Sequence, residues 1–352
     1  MLSLTTAGES HGPALVGILT GLPAGLTLDP DEIDADLARR QQGYGRSPRQ
    51  QIEQDRAEVL SGLRHGRTLG TPLAFVIQNR DHKNWAWGMS PWPPEGEPEG
   101  KGTKPVTLPR PGHADLAGAL KFGHDDVRNT LERASARQTA ITVAAGAVAK
   151  RLLAETGIDV AGSVVSMGDV ESAKAERDTV GGVVEVRAQG VPPGLGSYAT
   201  RETRLDARLA AALMGIQAVK GVEIGEGFGL AKLRGSEAHD EILPGLHRET
   251  NRAGGIEGGV SNGEEIVVRA AMKPLPTLMR PLRSVDLGSG EAGEALVERS
   301  DTAAVEALSV VAEASVAFEL ARAAREKFGG DSLDDFLAAH RAYLERIPWR
   351  PR

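Results

Sequence analysis

The amino-acid sequence predicts a layered α+β fold in which a central layer of helices is covered on both faces by sheet. Two long stretches carry that prediction. Residues 125–156 read as an unusually long, Ala-rich helix whose second half is apolar around much of its circumference, and 302–328 repeats the pattern, small and apolar nearly all round in its middle. A helix without a polar face is buried on every side. Strand-like runs at 157–165, 181–188 and 264–272 are the candidates to cover it. No linker separates two compositionally distinct halves, so the 352 residues are expected to form a single domain, 1–352.

Taken in order, MLSL (1–4) and ALVGIL (14–19) read as strands flanking a turn, and Gly21-Leu22-Pro23-Ala24-Gly25 ends the second. Asp29 and Pro30 open a helix as N-cap and first helical residue; it runs through EIDADLARR and stops near Gly43. TPLAFVIQN (71–79) is the next strand. Residues 81–105 form a loop rich in Pro, Gly and Trp, of a length that often marks a lid or binding segment. RPGHAD (110–115) is a Pro/Gly turn leading into the helix ADLAGALKF (114–122). Gly157 is a good stop for the first long helix. Asp301 has the right chemistry for the N-cap of the second. DSLDDFLAAHRAYLERI (331–347) reads as an amphipathic surface helix.

Composition narrows the chemistry. There is no Cys, which excludes disulfides, Cys-ligated zinc, iron–sulfur clusters and thiol nucleophiles. Apolar residues make up 40% of the chain but aromatics only 4%, so Leu, Val, Ile and Ala must fill the core. The 43 glycines exceed the roughly 7% typical of proteins and imply backbone that bends sharply or lies close to a ligand. The formal charge of −7 argues against nucleic acid as a partner. The eight histidines are dispersed and H-E-x-x-H is absent, so no metal is expected. The first residues show no basic segment followed by an apolar run. No apolar stretch reaches the ~18 residues of a membrane span. The expectation is a soluble cytoplasmic protein with no membrane partner.

Two motif matches mislead. Gly8-Glu9-Ser10-His11-Gly12 fits the G-x-S-x-G of a serine hydrolase, but that motif sits between a strand and a helix, with an oxyanion loop upstream. Here seven residues precede it, Pro13 and a strand follow, and no HGGG-type segment exists. Gly288-Ser289-Gly290-Glu291-Ala292-Gly293 fits G-x-G-x-x-G, yet the MRPLRSVDL before it is no apolar strand, as a dinucleotide site requires.

The remaining chemistry is cationic. Arg40, Arg46 and Arg49 cluster in a Gly/Pro loop, which taken alone reads as a solvated basic loop. Arg133 and Arg137 lie four apart and share a helix face, with the small Ala134 and Ser135 between them. That reads as an ordinary charged stripe, except that the helix runs on into a buried segment, and buried arginines need anionic partners. Five glycines fall within 254–263, followed by Lys273-Pro274-Leu275-Pro276-Thr277. Such a loop is either a floppy linker or backbone packed against a planar or phosphorylated ligand, and its flanking strands favour the second. His11 and His113 each occupy a turn. Either alone is more often structural; together, beside arginines that hold a polyanion, they suggest acid–base work around a phosphate.

GESHG…GLPAG, QQGYGRSPRQQIEQD, RPGHAD, HDDVRNTLERASARQTA, VKGVEIGEGF, GGIEGGVSNG, KPLPT and ERSDTAAV, in this order along nearly the whole chain, resemble the chorismate synthase family. One departure is visible: Gln138 stands where the family usually has Glu. The resemblance implies a β-α-β sandwich, with long central helices between two antiparallel sheets, assembled as a homotetramer. It implies a reduced-FMN-dependent 1,4-anti elimination of phosphate from 5-enolpyruvylshikimate-3-phosphate, giving chorismate. Some members reduce the flavin themselves, so NADPH is a candidate reductant. His11 would sit at the leaving phosphate as general acid, His113 at the flavin, and Asp301 near the flavin N5 as a proton relay. Arg40, Arg46, Arg49 and Arg137 would hold the substrate's anions. Arg133, Ala134, Ser135, Gln217, Ala218, Gly258, Lys273, Pro274, Leu275, Pro276, Thr277 and Arg299 would contact FMN.

Overall fold

Two four-stranded antiparallel sheets enclose a helical layer in a computed structural model that describes residues 1–46, 53–298 and 301–350. In the first sheet, β1 (Ser3–Ala7), β2 (Ala14–Thr20), β3 (Glu58–Ser61) and β4 (Leu73–Gln78) pair in the order β1-β2-β4-β3. In the second, β5 (Asp159–Met167), β6 (Gly182–Gln189), β7 (Val219–Ile224) and β8 (Ile266–Met272) pair in the order β5-β6-β8-β7. The helices that matter for the site are α1 (Pro30–Gln41), α2 (Asp115–Phe122), α3 (Arg128–Ala134), α4 (Thr139–Ala154), α5 (Leu205–Met214), α6 (Val305–Phe328) and α7 (Leu333–Arg346).

The central layer is the packed pair α4 and α6. Their small residues let the backbones meet: a Cβ on Gly146 would stand 2.3 Å from that of Ala314. The same device seats α6 on the second sheet, where a Cβ on Gly162 would stand 2.3 Å from the Ser309 carbonyl oxygen. Leu152 and Leu153 of α4 are fully buried, and truncating either to Ala would cost about 2–5 kcal/mol. Glu313 on α6 is a carboxylate buried in this layer. It is matched by Arg39 of α1 through two bonds of 2.9 Å, by Lys150 of α4 at 2.6 Å and by the Gly162 amide at 2.9 Å. A buried carboxylate persists only with such partners, and here they tie α1, α4, α6 and the second sheet together.

Two expectations are corrected. The single helix over 125–156 is broken: α3 ends at Ala134, Ser135 is extended (φ −63°, ψ 141°), and a short 3-10 turn over Ala136–Gln138 leads into α4. The break is stabilised locally, since the Ser135 hydroxyl accepts from the Arg137 amide and Gln138 Nε2 donates to the Arg133 carbonyl. Asp301 does not cap the second long helix, which begins at Val305 after Ala304; its carboxylate pairs with Arg46 at 2.8 Å instead. Both decoy motifs lie where strand connects to strand, as the sequence reading expects. Residues 8–13 join β1 to its antiparallel neighbour β2, and 288–290 join the strands Arg283–Val285 and Ala292–Glu294 of a two-stranded ribbon. Neither is followed by a helix. No helix among the described residues is long and apolar enough to cross a membrane.

Candidate active site

The turn before β2, the break at Ser135, the start of β7, the end of β8 and the start of α6 converge on a cleft of about 600 Å³. Among the described residues its lining carries six cationic side chains, Arg40, Arg46, Arg110, Arg137, Lys220 and Lys273, against three carboxylates, Glu53, Glu298 and Asp301. A chain of net charge −7 thus gathers positive charge at one place, as a polyanion site requires. The lining also carries apolar side chains, among them Ile216, Val219, Leu275, Leu308 and Val311.

His11 occupies one end and is almost fully buried. Its Nδ1 lies 2.9 and 3.0 Å from the two carboxylate oxygens of Glu132, and its backbone amide donates to Glu132 Oε2 at 2.8 Å. Its ring stacks on Trp85, with centroids 3.9 Å apart. With Nδ1 engaged, Nε2 makes no hydrogen bond among the described residues. Burial acts to raise Glu132, but the bonds from His11 outweigh it and hold the carboxyl below its usual range. Ser10 accepts from Ser135 Oγ at 3.2 Å, and its amide donates to the Glu132 carbonyl. Its surroundings are those of a supporting hydrogen bonder in a strand–turn–strand unit.

His113 occupies another part of the lining. Its Nδ1 bonds Asp115, two residues on. Arg110 donates to the same carboxylate from its amide at 3.0 Å, from Nε at 2.8 Å and from Nη2 at 3.2 Å. Asp115 is fully buried, which pushes its carboxyl up; the His113 and Arg110 bonds prevail and hold it far below the ordinary range. Arg110 Nη1 also donates to Thr277 Oγ1 at 2.9 Å.

The lining also holds an arginine cluster. Arg137 Nη1 contacts both Asp55 oxygens at 2.7 Å, and its Nε donates to Asn79 Oδ1 at 3.0 Å. Arg40 donates to Thr139 Oγ1 at 2.9 Å and to the Ala136 carbonyl at 3.1 Å. Burial pushes Arg40 down to about 10; Asp55 opposes that and the nearby Arg137 and Arg46 add to it. Burial also lowers Arg46, against Asp301 and Glu306. Among the described residues Arg46 Nε and Arg137 Nη2 are buried without a hydrogen bond, although Arg137 Nη2 lies 3.7 Å from Glu53 Oε2.

This is the setting in which relatedness becomes decisive. The family model for chorismate synthase matches residues 2–173 and 167–324. The chorismate synthase of Desulforudis audaxviator (strain MP104C) is 54% identical over 387 aligned positions, covering 99% of this chain and 98% of that one. The chain belongs to the chorismate synthase family. It is therefore an enzyme, a carbon–oxygen lyase. The chorismate synthase of Symbiobacterium thermophilum is 53% identical, with 98% and 99% covered. A crystal structure of a chorismate synthase superposes with a TM-score of 0.78 at 37% identity, over 99% of this chain and 98% of that one.

Most residues that the family resemblance singles out meet in the cleft: His11, His113, Asp301, Arg40, Arg46, Arg137, Ala134, Ser135, Gln217, Ala218, Lys273, Leu275, Pro276 and Thr277. Ala218 has a left-handed backbone (φ 69°), a strain of order 1–3 kcal/mol of the kind that collects at ligand sites. Lys273 Nζ donates to the Gly112 carbonyl at 2.6 Å. Pro274 adjoins the lining without joining it. Arg133 does not reach the cleft; it donates to the Gly8 carbonyl at 3.1 Å and to Thr6 at 3.0 Å, fastening α3 to the end of β1. Gly258 lies on an exposed turn outside it. Arg49 and Arg299 lie outside the described residues. Sequence reasoning missed Arg110, Asp55 and Glu132. Arg110 opens the quoted RPGHAD turn and was within reach; Asp55 and Glu132 carry no local signal, because their partners are distant in sequence.

Proposed function

We propose that this cleft eliminates phosphate and the C6 hydrogen from 5-enolpyruvylshikimate-3-phosphate in 1,4-anti fashion, giving chorismate with reduced FMN as cofactor. The observation that carries the reading is the meeting of two carboxylate-held histidines and a buried arginine cluster in one cleft. The residues fit FMN. The volume lies in the range of ligand pockets, the apolar lining residues suit a planar ring system, the cations suit a phosphate, and the buried Arg46 Nε, without a hydrogen bond among the described residues, is a donor that a bound anion would satisfy.

Held here, reduced FMN would supply transient electron density that weakens the substrate's C–O bond to phosphate. Protonated at Nε2, His11 stabilises the charge that grows on the departing phosphate and donates its proton; Glu132 balances the imidazolium. Arg40, Arg46, Arg49 and Arg137 orient the substrate through charge-assisted bonds to its phosphate and carboxylates. His113 and Asp301 take the flavin side. Ala134, Ser135, Gln217, Ala218 and the stretch Lys273–Thr277 hold FMN, with Arg133, Gly258 and Arg299 carried over from the resemblance. We assign the active form to a homotetramer in the cytoplasm, with NADPH as a candidate reductant. Anaerobic phosphate release from the substrate with reduced FMN tests the reading. Release that requires reduced flavin is expected. FMN binding without release would leave a flavin-binding protein, and release without flavin would remove the cofactor from the account.

A further inference from the structure

His11 is gripped by two residues to which neither the motifs nor the family resemblance gives a role. Glu132, on α3, is 1% exposed and directs both oxygens to His11 Nδ1 and one of them to the His11 amide. Trp85, within the 81–105 loop, is 8% exposed and lies nearly parallel to the imidazole, 21° between planes. The loop folds around this indole. Trp85 Nε1 donates to Asp81 Oδ2 at 3.0 Å, Lys101 Nζ meets the same oxygen at 3.2 Å, and the Lys101 amide donates to the Asn84 carbonyl at 2.7 Å. Arg128 links the two supports, with its guanidinium 5.0 Å from the Trp85 ring centroid and 3.4 Å from Glu132 Oε1.

We propose that Glu132 and Trp85 are positioning residues for the elimination, the carboxylate fixing His11 Nδ1 and the indole fixing the plane of its ring, so that Nε2 is the nitrogen presented to the cleft. The proposal rests on the reading that His11 acts on the leaving phosphate. A carboxylate on one imidazole nitrogen selects the tautomer and leaves the other nitrogen for chemistry, as in the serine-protease triad. An aromatic face under the ring restricts its rotation. The 81–105 loop thereby acquires a function, as carrier of the ring's support. The other charged groups around His11 are Arg128 on α3, His82, Asp81 and Lys101 on the loop, and Glu9 in its own turn; His82 Nδ1 donates to the His11 carbonyl at 2.9 Å.

The test combines kinetics with Trp85 fluorescence, the latter taken as the difference between the wild type and Trp85→Phe. Glu132→Gln and Trp85→Ala are expected to lower kcat by about tenfold or more, within the roughly 10²–10⁴ that a positioned acid is worth, with KM little changed and Trp85→Phe restoring most of the loss. In a His11→Asn background, Glu132→Gln and Trp85→Ala should cost nothing further. Trp85 emission should be quenched as pH falls and His11 gains its proton. That transition should be absent in His11→Asn. Additive losses in the His11→Asn background, or a transition that survives His11→Asn, would overturn the proposal. A His11→Ala enzyme of normal activity would instead overturn the assignment of His11, while the fluorescence would still report whether Trp85 and Glu132 hold the ring.

Discussion

The two histidines of the cleft are held by one device, a bond from Nδ1 to a buried carboxylate, but they obtain it in opposite ways. His113 takes its carboxylate from Asp115, two residues along the same turn, and Asp115 divides its charge between His113 and three donors of Arg110. His11 takes its carboxylate from Glu132, 121 residues away, and Arg128 is a weak competitor at 3.4 Å. An aromatic ring supports His11 on a face. The His113 unit is thus encoded locally and exists whenever its turn forms. The His11 unit exists only when the first sheet, α3 and the 81–105 loop have assembled. The contrast teaches that a locally built unit suits a binding role, whereas a carboxylate committed mainly to one imidazole suits a group that must carry and release a proton.

Removing His11 is the severest way to break the comparison. His11→Ala should lose about 10²–10⁴ in single-turnover phosphate release while still folding and binding FMN; loss of folding, seen by circular dichroism, would show the residue to be structural. The next largest effect concerns the arginines of the cleft lining. Arg137 is joined to the His11 turn through Asn79, whose Nδ2 donates to the carbonyls of Glu9 at 3.0 Å and Gly12 at 2.8 Å. Arg46 is joined to the other side through Asp301. Arg46→Ala and Arg137→Ala should each raise the substrate Kd roughly ten- to a hundredfold, the worth of a charge-assisted contact of about 1.5–3 kcal/mol. Asp55 retains Arg40 in the second variant. Unchanged affinity in both would mean that these charges only satisfy one another.

If the two ends hold two ligands stacked in one cleft, substrate should tighten FMN. Calorimetry is expected to show FMN binding weakly alone and at least about fivefold more tightly with substrate present; equal affinities would separate the two ends. The smallest effect is on stability against pH. Glu132 and Asp115 both have carboxyls depressed in the folded chain. Their contribution is present above the ordinary carboxylate value of about 4 and is lost as pH falls through the folded values. Glu132→Gln and Asp115→Asn should therefore be less stable than the wild type at pH 7, and the difference in chemical denaturation should shrink below about pH 4.

Much of this was legible in the residues. The apolar girth of α4 and α6 announced the central layer, and the strand-like runs at 14–19, 71–79, 157–165, 181–188 and 264–272 all became strands. The break at Ser135 was not legible, because ERASARQTA contains neither Gly nor Pro; its cause is the pair of side-chain bonds from Ser135 and Gln138 that replace helical ones. β3 and β7 escaped because one is a short edge strand of mixed polarity and the other is interrupted by Gly221, and α5 passed unnoticed beside them. At the site, the cations and histidines were readable as residue types at suggestive places. Their carboxylates were not: Glu132 reads as one more charge on a polar helix turn, and only the fold brings it beneath His11. For the same reason Asp301 read as a cap, its partner Arg46 lying 255 residues earlier in the chain.

The account stands most directly on the pH dependence of single-turnover phosphate release, measured anaerobically with reduced FMN for the wild type and His11→Ala. The wild-type profile should contain a limb that falls as a required proton is lost, and that limb should be missing from the residual activity of His11→Ala. The same limb persisting in His11→Ala would show that the proton given to the leaving phosphate comes from another group, and the role assigned to His11 would be wrong.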